Sequence, residues 1–284
     1  MIKRLLLMIA TVALMPELAH AAPCRGYDVS AAQSGAASYD PASVADMRIQ
    51  LTLMTRSTAL DASCSSANIS VAPRDGSRIR LTNGGDRLDG DIVRASDVGI
   101  GSPALFRLTE AGRGRLVRNG RLTIDLLQIS SGQFTGPGDY TVDLDVVVGD
   151  RPAVPVQLLV HVDPAIRFVG EAASGLKTLS LGDLERGANV SSAFLFKTNA
   201  AITVTARSEH GGNLQHELGA SFGEIPYAGY YSGERLDLKN ARPITVRLSR
   251  AGLQQGDLRV VVLPQHGRYA GAYRDVLTLD FTAF

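Results

Sequence analysis

Histidines are the side chains in this 284-residue sequence with the widest range of possible chemistry, and there are five of them, at positions 20, 161, 210, 216 and 266. His210 and His216 are separated by a glycine-rich turn and have no cysteine or carboxylate at the spacing that zinc ligands show. Hydrolase, zinc-protease and phosphate-loop motifs are also missing from the sequence. We therefore interpret His210 and His216 as solvated loop residues, and we expect no catalysis, no metal and no cofactor.

A second candidate for chemistry is the acidic segment GGDRLDGD, which contains Asp86, Asp89 and Asp91. Three nearby carboxylates suit a hard cation such as calcium. The spacing, however, is not that of an EF-hand loop, and acidic turns between strands are commonly just solvated. The solvated turn is the favoured interpretation, and calcium binding stays open as the alternative.

Tyr227, Tyr230 and Tyr231 form a cluster close to Gly229 and Gly233. Tyrosine adds contact area with little loss of conformational entropy, so the cluster is a candidate binding loop. The alternative is that these rings fill an apolar groove or pack at a domain interface.

The N-terminus predicts export. Lys3 and Arg4 precede an apolar run, and the small residues around His20 form a cleavage site. This is the pattern of a secretory signal peptide over residues 1–21. The apolar run is about half the length that a membrane-spanning helix needs, so we expect the mature chain to be released and not embedded in a membrane.

The mature chain contains two cysteines, Cys24 and Cys64, without metal-site spacing. In an oxidising compartment an isolated pair most often forms a disulfide, and we predict one here. The closed loop of about 40 residues would add roughly 3–4 kcal/mol in the chain-entropy model.

The elements that would position such residues are strands. From Val276 to Thr282 the sequence alternates polar residues with Leu277, Leu279 and Phe281, which predicts a half-buried strand that ends the chain. An apolar face of this kind has to lie against a sheet. Similar alternation predicts further strands, with the ranges Met47–Leu53, Ala67–Val71, Ala104–Leu108, Leu122–Leu126, Tyr140–Val148, Val154–Val162, Ile166–Val169, Leu176–Leu181, Ala193–Lys197, Ile202–Ala206, Ile244–Leu248 and Leu258–Leu263.

Three short matches recur at one offset of 133 residues, among them Gly138-Asp139-Tyr140 with Gly271-Ala272-Tyr273. They indicate two copies of one β domain. No long stretch has helical periodicity; Ala111–Gly120 is interpreted as a turn, and Asp183–Arg186 as one helical turn. We therefore predict an all-β fold of two tandem domains, each a sandwich or a barrel, over residues 22–162 and 163–284, with the boundary at Asp163-Pro164. The net charge of +1 gives no reason to expect a nucleic-acid partner.

The segment Gly271-x-Tyr273-x-Asp275, with the alternating residues that follow it, resembles the closing strand of the spore-coat-protein-U-like family, whose members are subunits of archaic chaperone–usher pili. Leu181-Gly182 and Ile225-Pro226-Tyr227 are also similar to that family. The resemblance covers roughly Ile166–Phe284 and is poorer in the first copy, where Val142 stands in place of the aspartate.

The resemblance implies that the two domains are tandem immunoglobulin-like, pilin-like β-sandwiches and that the second sandwich lacks one strand. A periplasmic chaperone fills the gap first, and a strand from a neighbouring subunit replaces it at the outer-membrane usher. Leu277, Leu279 and Phe281 would then line the acceptor groove. Since a disulfide at Cys24 would tether the N-terminus, we expect an adhesive tip subunit, exported through the periplasm to the cell surface. The alternatives are a stand-alone secreted binding protein of two sandwiches and, less favoured, a secreted enzyme on a β scaffold.

Overall fold

The computed structural model describes residues 29–55, 68–76, 79–102, 105–149, 151–247 and 250–284. The predicted signal peptide lies outside these ranges, as do Cys24 and Cys64, so export and the disulfide stay predictions. Within the described ranges, no helix has both the length and the apolar character needed to cross a bilayer.

The first half of the chain forms two sheets, which confirms the all-β class. One sheet has the order β1-β3-β10-β7 and the other β2-β12-β11-β4-β9-β8, with β5 paired to β11 and β6 paired to β5. The strands are β1 (Val29–Gly35), β2 (Ser38–Tyr39), β3 (Met47–Thr55), β4 (Ile69–Pro73), β5 (Arg80–Asn83), β6 (Asp86–Asp89), β7 (Asp91–Ile92), β8 (Val98–Ser102), β9 (Leu105–Leu108), β10 (Arg121–Ile129), β11 (Gly138–Val148) and β12 (Val154–Val162).

A helix, α1 (Glu110–Asn119), occupies the segment that the sequence indicated as a turn, so that prediction was wrong. Its N-terminus is capped by Thr109, whose Oγ1 accepts a hydrogen bond from the Gly112 N–H at 3.2 Å. Gly120 ends it in the left-handed conformation, with φ of 65°. The helix could not be recognised from the sequence because its two internal glycines lower the helix propensity and its three arginines interrupt the apolar face.

The second half also forms two sheets, with the orders β13-β14-β20-β17-β16-β21 and β19-β15-β22, and with β18 paired to β17. Short 3-10 helices cover Gly170–Ser174, Leu184–Arg186 and Ala220–Phe222, the second of which confirms the helical turn expected at Asp183–Arg186. The strands are β13 (Ile166–Val169), β14 (Ala188–Thr198), β15 (Ile202–Ser208), β16 (Asn213–His216), β17 (Glu224–Tyr231), β18 (Glu234–Arg235), β19 (Ile244–Val246), β20 (Gly252–Val262), β21 (Tyr273–Arg274) and β22 (Leu277–Ala283).

The strand expected at Leu176–Leu181 is not present; the segment is irregular, and Leu176 is 81% exposed. Leu179 and Leu181 alternate with polar residues, but Leu176 falls outside that pattern, and the structure gives the stretch no neighbouring strand to pair with. Periodicity alone could not reveal that a pairing partner was missing.

The two halves differ in how well their cores are closed. Among the described residues of the first half, 28 buried hydrophobic residues form one cluster, and five further hydrophobic residues packed against it are partly buried. In the second half, the main cluster has seven buried members and eleven partly buried ones. Because apolar surface left in water costs free energy, the second sandwich is incomplete on the side where those partly buried residues lie.

Candidate strand-accepting groove

The last strand has the alternation that the sequence predicted. Leu277, Leu279, Phe281 and Ala283 are half-buried and pack against the second core, while the residues between them face solvent. None of these inward residues reaches full burial, although they lie on the core side of the strand. The predicted groove residues are therefore together on one face, and that face is only partly covered.

Two strand edges border this face. β22 pairs with β15 on one side, and β13 pairs with β14 on one side; no other pairing of either strand is found among the described residues. The ring centroids of Phe168 on β13 and Phe281 on β22 are 5.0 Å apart, so the two edges approach each other across the sandwich. We call the apolar cleft between β13 and β22 the acceptor groove.

The floor of the acceptor groove is aromatic. The ring of Phe281 lies 5.7 Å from that of Phe194 and 5.6 Å from that of Tyr231, both nearly edge-on. Tyr231 is buried, and its burial raises the pKa of the phenol to about 12. Edge-to-face contacts of this kind add stabilisation beyond area burial.

The tyrosine cluster does not form a loop. All three residues lie in β17: Tyr231 packs in the core, Tyr227 is half-buried, and the guanidinium of Arg259 lies 4.6 Å from the ring centroid of Tyr230. The hypothesis of an exposed binding loop at Tyr227, Tyr230 and Tyr231 is wrong in this respect. Strand pairing with β20 placed these residues, and the two glycines nearby had suggested a turn instead.

The first sandwich shows what the second one lacks. The pairing of β4 with β11 corresponds to that of β15 with β22, and the pairing of β3 with β10 to that of β14 with β20. In the first half, β12 lies along the free side of β11 and buries four inward residues, Val156, Leu158, Val160 and Val162. The acceptor groove is the place where the counterpart of β12 would lie.

The outer edge of β12 is itself closed. The side-chain amide of Gln33 donates from Nε2 to the Leu159 carbonyl at 2.8 Å, and its Oε1 accepts from the Leu159 N–H at 2.6 Å. The Gln33 side chain thus occupies the backbone N–H and C=O of Leu159 in the middle of this edge, while β2 covers the end of β12 by parallel pairing. The first sandwich is complete without another chain.

The start of β22 is fixed by a polar cluster centred on Asp275. Its carboxylate accepts hydrogen bonds from Ser208 Oγ at 2.6 Å and from Tyr227 Oη at 2.6 Å. It also accepts from the backbone N–H of His210 at 3.1 Å and contacts His210 Nδ1 at 2.9 Å. The Asp275 side chain is 2% exposed, so its charge depends on these partners. Burial, and then the bond to Asp275, raise the pKa of Tyr227 well above its ordinary value.

His216 corrects the interpretation of the histidines. Its side chain is 3% exposed; Nδ1 accepts from the Leu218 N–H at 3.1 Å, and Nε2 lies 3.2 Å from the Ala270 carbonyl. His210 is half-buried against Asp275. Neither is a solvated loop residue, because contacts made 54 or 65 residues along the chain hold them.

Two groups of side chains are candidates for metal binding: the acidic segment predicted from the sequence and the residues around Asp275. Asp86, Asp89 and Asp91 lie on β6 and β7, where Asp89 pairs with Arg80 at 3.8 Å, and they do not gather their oxygens into a cluster. This favours the solvated-turn interpretation of that segment. Within the described ranges, the only side chains that converge are those of Glu209, His210 and Asp275. The oxygens of Asp275 are already occupied by hydrogen bonds from the protein, so the cluster acts as an anchor for the strand.

No family model matches the chain, and no curated protein matches it. Solved structures of pilus proteins do resemble it. One is the CsuC–CsuE chaperone–tip adhesion subunit pre-assembly complex from archaic chaperone-usher Csu pili of Acinetobacter baumannii, with a TM-score of 0.48 and 14% identity, covering 90% of this chain and 100% of that chain.

Two others are adhesins. The CupB6 tip adhesin from Pseudomonas aeruginosa has a TM-score of 0.30 at 12% identity, covering 90% of this chain and 94% of that chain. CfaE, the adhesive subunit of CFA/I fimbria of enterotoxigenic Escherichia coli, has a TM-score of 0.34 at 9% identity, covering 93% and 79%. At these TM-scores and identities the likeness assigns neither a family nor a function. The functional conclusion is therefore based on the geometry of the acceptor groove.

Proposed function

We propose that this chain is an exported structural and adhesive subunit of a chaperone–usher pilus, assembled by donor-strand complementation. The observation that carries the proposal is the acceptor groove. It is an apolar cleft with two unpaired strand edges, at the place where the first sandwich has its own strand β12. Exposed edges of this kind promote aggregation and are normally covered, and addition of a strand from another chain covers them with both hydrogen bonds and side chains.

The proposed division of the chain is a signal peptide over residues 1–21, a first domain over 22–162 and a second over 163–284. Only the second would accept a strand. The first domain closes its own core through β1 and β12, so it would be the exposed, adhesive part of the subunit. The partners would be a periplasmic chaperone, an outer-membrane usher and the neighbouring subunit.

A position at the pilus tip has a second support. A subunit within the shaft must offer a free N-terminal strand to its neighbour. Here β1 pairs with β3 over all seven of its residues, and Gln33 binds the edge of β12. The chain from Val29 onward is thereby used within its own domain, which fits a subunit that accepts a strand and donates none.

Kinship with the spore-coat-protein-U-like family is part of the proposal and rests on the Gly271-x-Tyr273-x-Asp275 segment. The structure gives two of these residues a physical role. Asp275 anchors the start of β22, and Tyr273 Oη donates to the Tyr269 carbonyl at 3.1 Å. Both contacts fix the entry to the strand that borders the groove.

The experiment is expression of the mature chain in a periplasm with and without the chaperone gene that we expect beside it. Alone, the protein should aggregate or be degraded; together, the two should give a soluble one-to-one complex. Deletion of the neighbouring usher gene should remove the protein from the cell surface. A soluble monomer that reaches the surface or the medium without either gene would support the stand-alone binding protein instead.

A further inference from the structure

The junction between the two halves has a definite position on the first sandwich. The chain leaves the first half at Val162, beside the loop 131–136 that connects β10 to β11. That loop touches the second half, because the guanidinium of Arg167 lies 5.8 Å from the ring centroid of Phe134. Ser38 Oγ donates to Asp163 Oδ2 at 2.5 Å beside it. All six residues of loop 131–136 are half-buried.

The second sandwich has the same loop at the same place, between β20 and β21. In the first half Tyr140 Oη donates to the Gly136 carbonyl at 2.7 Å, and in the second half Tyr273 Oη donates to the Tyr269 carbonyl at 3.1 Å. In each pair the two residues are four positions apart in the sequence, and the second pair follows the first at the offset of 133 residues. Loop 264–269 is therefore the structural counterpart of loop 131–136.

The counterpart loop is uncovered. Five of the six residues in 264–269 are exposed, only Gln265 being half-buried, and Tyr269 is 66% exposed. Beside it lies Phe222 at 39% exposure, with its ring 6.0 Å from that of Tyr269. Leu218, at 65% exposure, follows Glu217, whose backbone N–H donates to the Ala272 carbonyl at 2.8 Å. We call Leu218, Phe222 and Tyr269 the distal patch. The linker from the first half enters at the opposite end of the sandwich, next to Asn199.

We propose that the distal patch is the docking surface for the folded body of the subunit whose strand fills the acceptor groove. The inference rests on the proposed function and adds a second contact to it. A donor strand that replaces β12 in the second sandwich would leave it at the distal end, beside loop 264–269, as the chain does beside loop 131–136. The body that follows the strand then covers the distal patch, as the second half covers Phe134.

The experiment compares carbene labelling of the full mature chain in two states. One is the protein with a synthetic peptide of the β12 sequence, Val154–Val162, in excess; the other is the protein in pili isolated from its host. The distal patch should be labelled strongly in the first state. In pili its labelling should be lost to the level of the buried Phe196, while exposed Leu176 keeps its labelling in both.

Each outcome has one meaning. Equal labelling of the distal patch in both states overturns the docking inference and leaves the proposed function standing. Absence of the chain from the isolated pili overturns both. As a second readout, Tyr269→Ala should lower the retention of this subunit on pili under shear by about fivefold, as truncation of an interface aromatic does. The matched Leu176→Ala variant should keep wild-type retention; equal retention of both variants contradicts the inference.

Discussion

Asp275 is the residue on which the polar contacts at the start of the last strand converge. Sequence reasoning placed it in a family motif but gave it no role, because its partners Ser208, His210 and Tyr227 are 48 to 67 residues away in the chain. The spacing of these residues in the sequence gives no indication that they contact Asp275. A buried carboxylate with four hydrogen-bonding contacts is a fixed point in the fold.

Asp275→Asn tests this role. The amide presents two donors toward hydroxyl and N–H groups that now donate to a carboxylate, so we expect a loss of about 2–3 kcal/mol in the stability of the second half. Urea unfolding followed by hydrogen exchange of β22 measures it. Asp280→Asn, on the exposed face of the same strand, is the matched control and should change stability by less than about 0.5 kcal/mol. Equal effects of the two variants would contradict the account.

The raised pKa of Tyr231 predicts a loss of stability at alkaline pH. An unfolded tyrosine ionises near 10.0, whereas the buried phenol holds its proton until about pH 12. The contribution of the protonated Tyr231 phenol to the free energy of unfolding is complete below pH 10.0 and is lost as the pH rises toward 12. Tyr231→Phe removes the ionisable group while keeping the ring, so its loss of stability between pH 9 and 12 should be shallower than that of the wild type. Unfolding midpoints across this pH range, with absorbance at 295 nm, are the measurement; identical slopes would refute it.

At the scale of elements, corresponding strands β11 and β22 have unequal surroundings. Leu144 is fully buried between β12 and the core, whereas Leu277, its counterpart 133 residues on, is half-buried. Leu144→Ala should cost about 3 kcal/mol, and Leu277→Ala only about 1–2 kcal/mol, because part of the latter side chain is already in water.

The difference should change when the groove is filled. With a donor strand bound, Leu277 becomes buried, and the cost of Leu277→Ala should rise toward that of Leu144→Ala. Calorimetry of the full chain with the β12-sequence peptide bound gives the filled-groove value, and hydrogen exchange of β22 in the soluble fraction of the peptide-free full chain gives the open-groove value. A cost for Leu277→Ala that equals the Leu144 value without any peptide would mean that the groove is already closed.

Helix α1 depends on its cap because its two glycines weaken it. Thr109→Ala removes the bond to the Gly112 N–H and should destabilise the first half by about 1 kcal/mol, while Thr109→Ser should keep most of the stability. Thermal unfolding of the full chain compares the two. If alanine and serine behave alike, the cap contributes nothing.

The strands could be predicted where a period-two pattern coincided with a packed face, as in β11, β12 and β22. Sequence reasoning failed where the pattern and the packing disagreed. Leu176–Leu181 has only a partial alternation and no partner strand, and Glu110–Asn119 is helical although glycine and arginine obscure its apolar face. The inward-facing residues of β22 were predicted, but Phe168 and Phe194 could not be, because only the pairing of β13 with β14 brings them opposite Phe281.

At the scale of the whole molecule, the chain contains the same sandwich architecture twice. The first sandwich is closed by its own strand β12, and the second is open where the counterpart of β12 would lie. The closed form can be exposed to solvent alone, whereas the open form leaves two strand edges and an aromatic floor uncovered. Since a domain is stable by only about 5–15 kcal/mol, several half-buried apolar side chains are a large fraction of that margin. We therefore expect the second half to be stable only when a strand from another chain covers the groove.

The segment Asp163–Phe284, expressed by itself, is the most direct test of that condition. Sedimentation and thermal unfolding should show aggregates, or a species without a cooperative transition, when neither chaperone nor peptide is present. Addition of a strand should convert the segment into a soluble, cooperatively unfolding complex. If the segment is instead monomeric, soluble and cooperative with nothing added, the second sandwich is already complete and the strand-accepting groove does not exist.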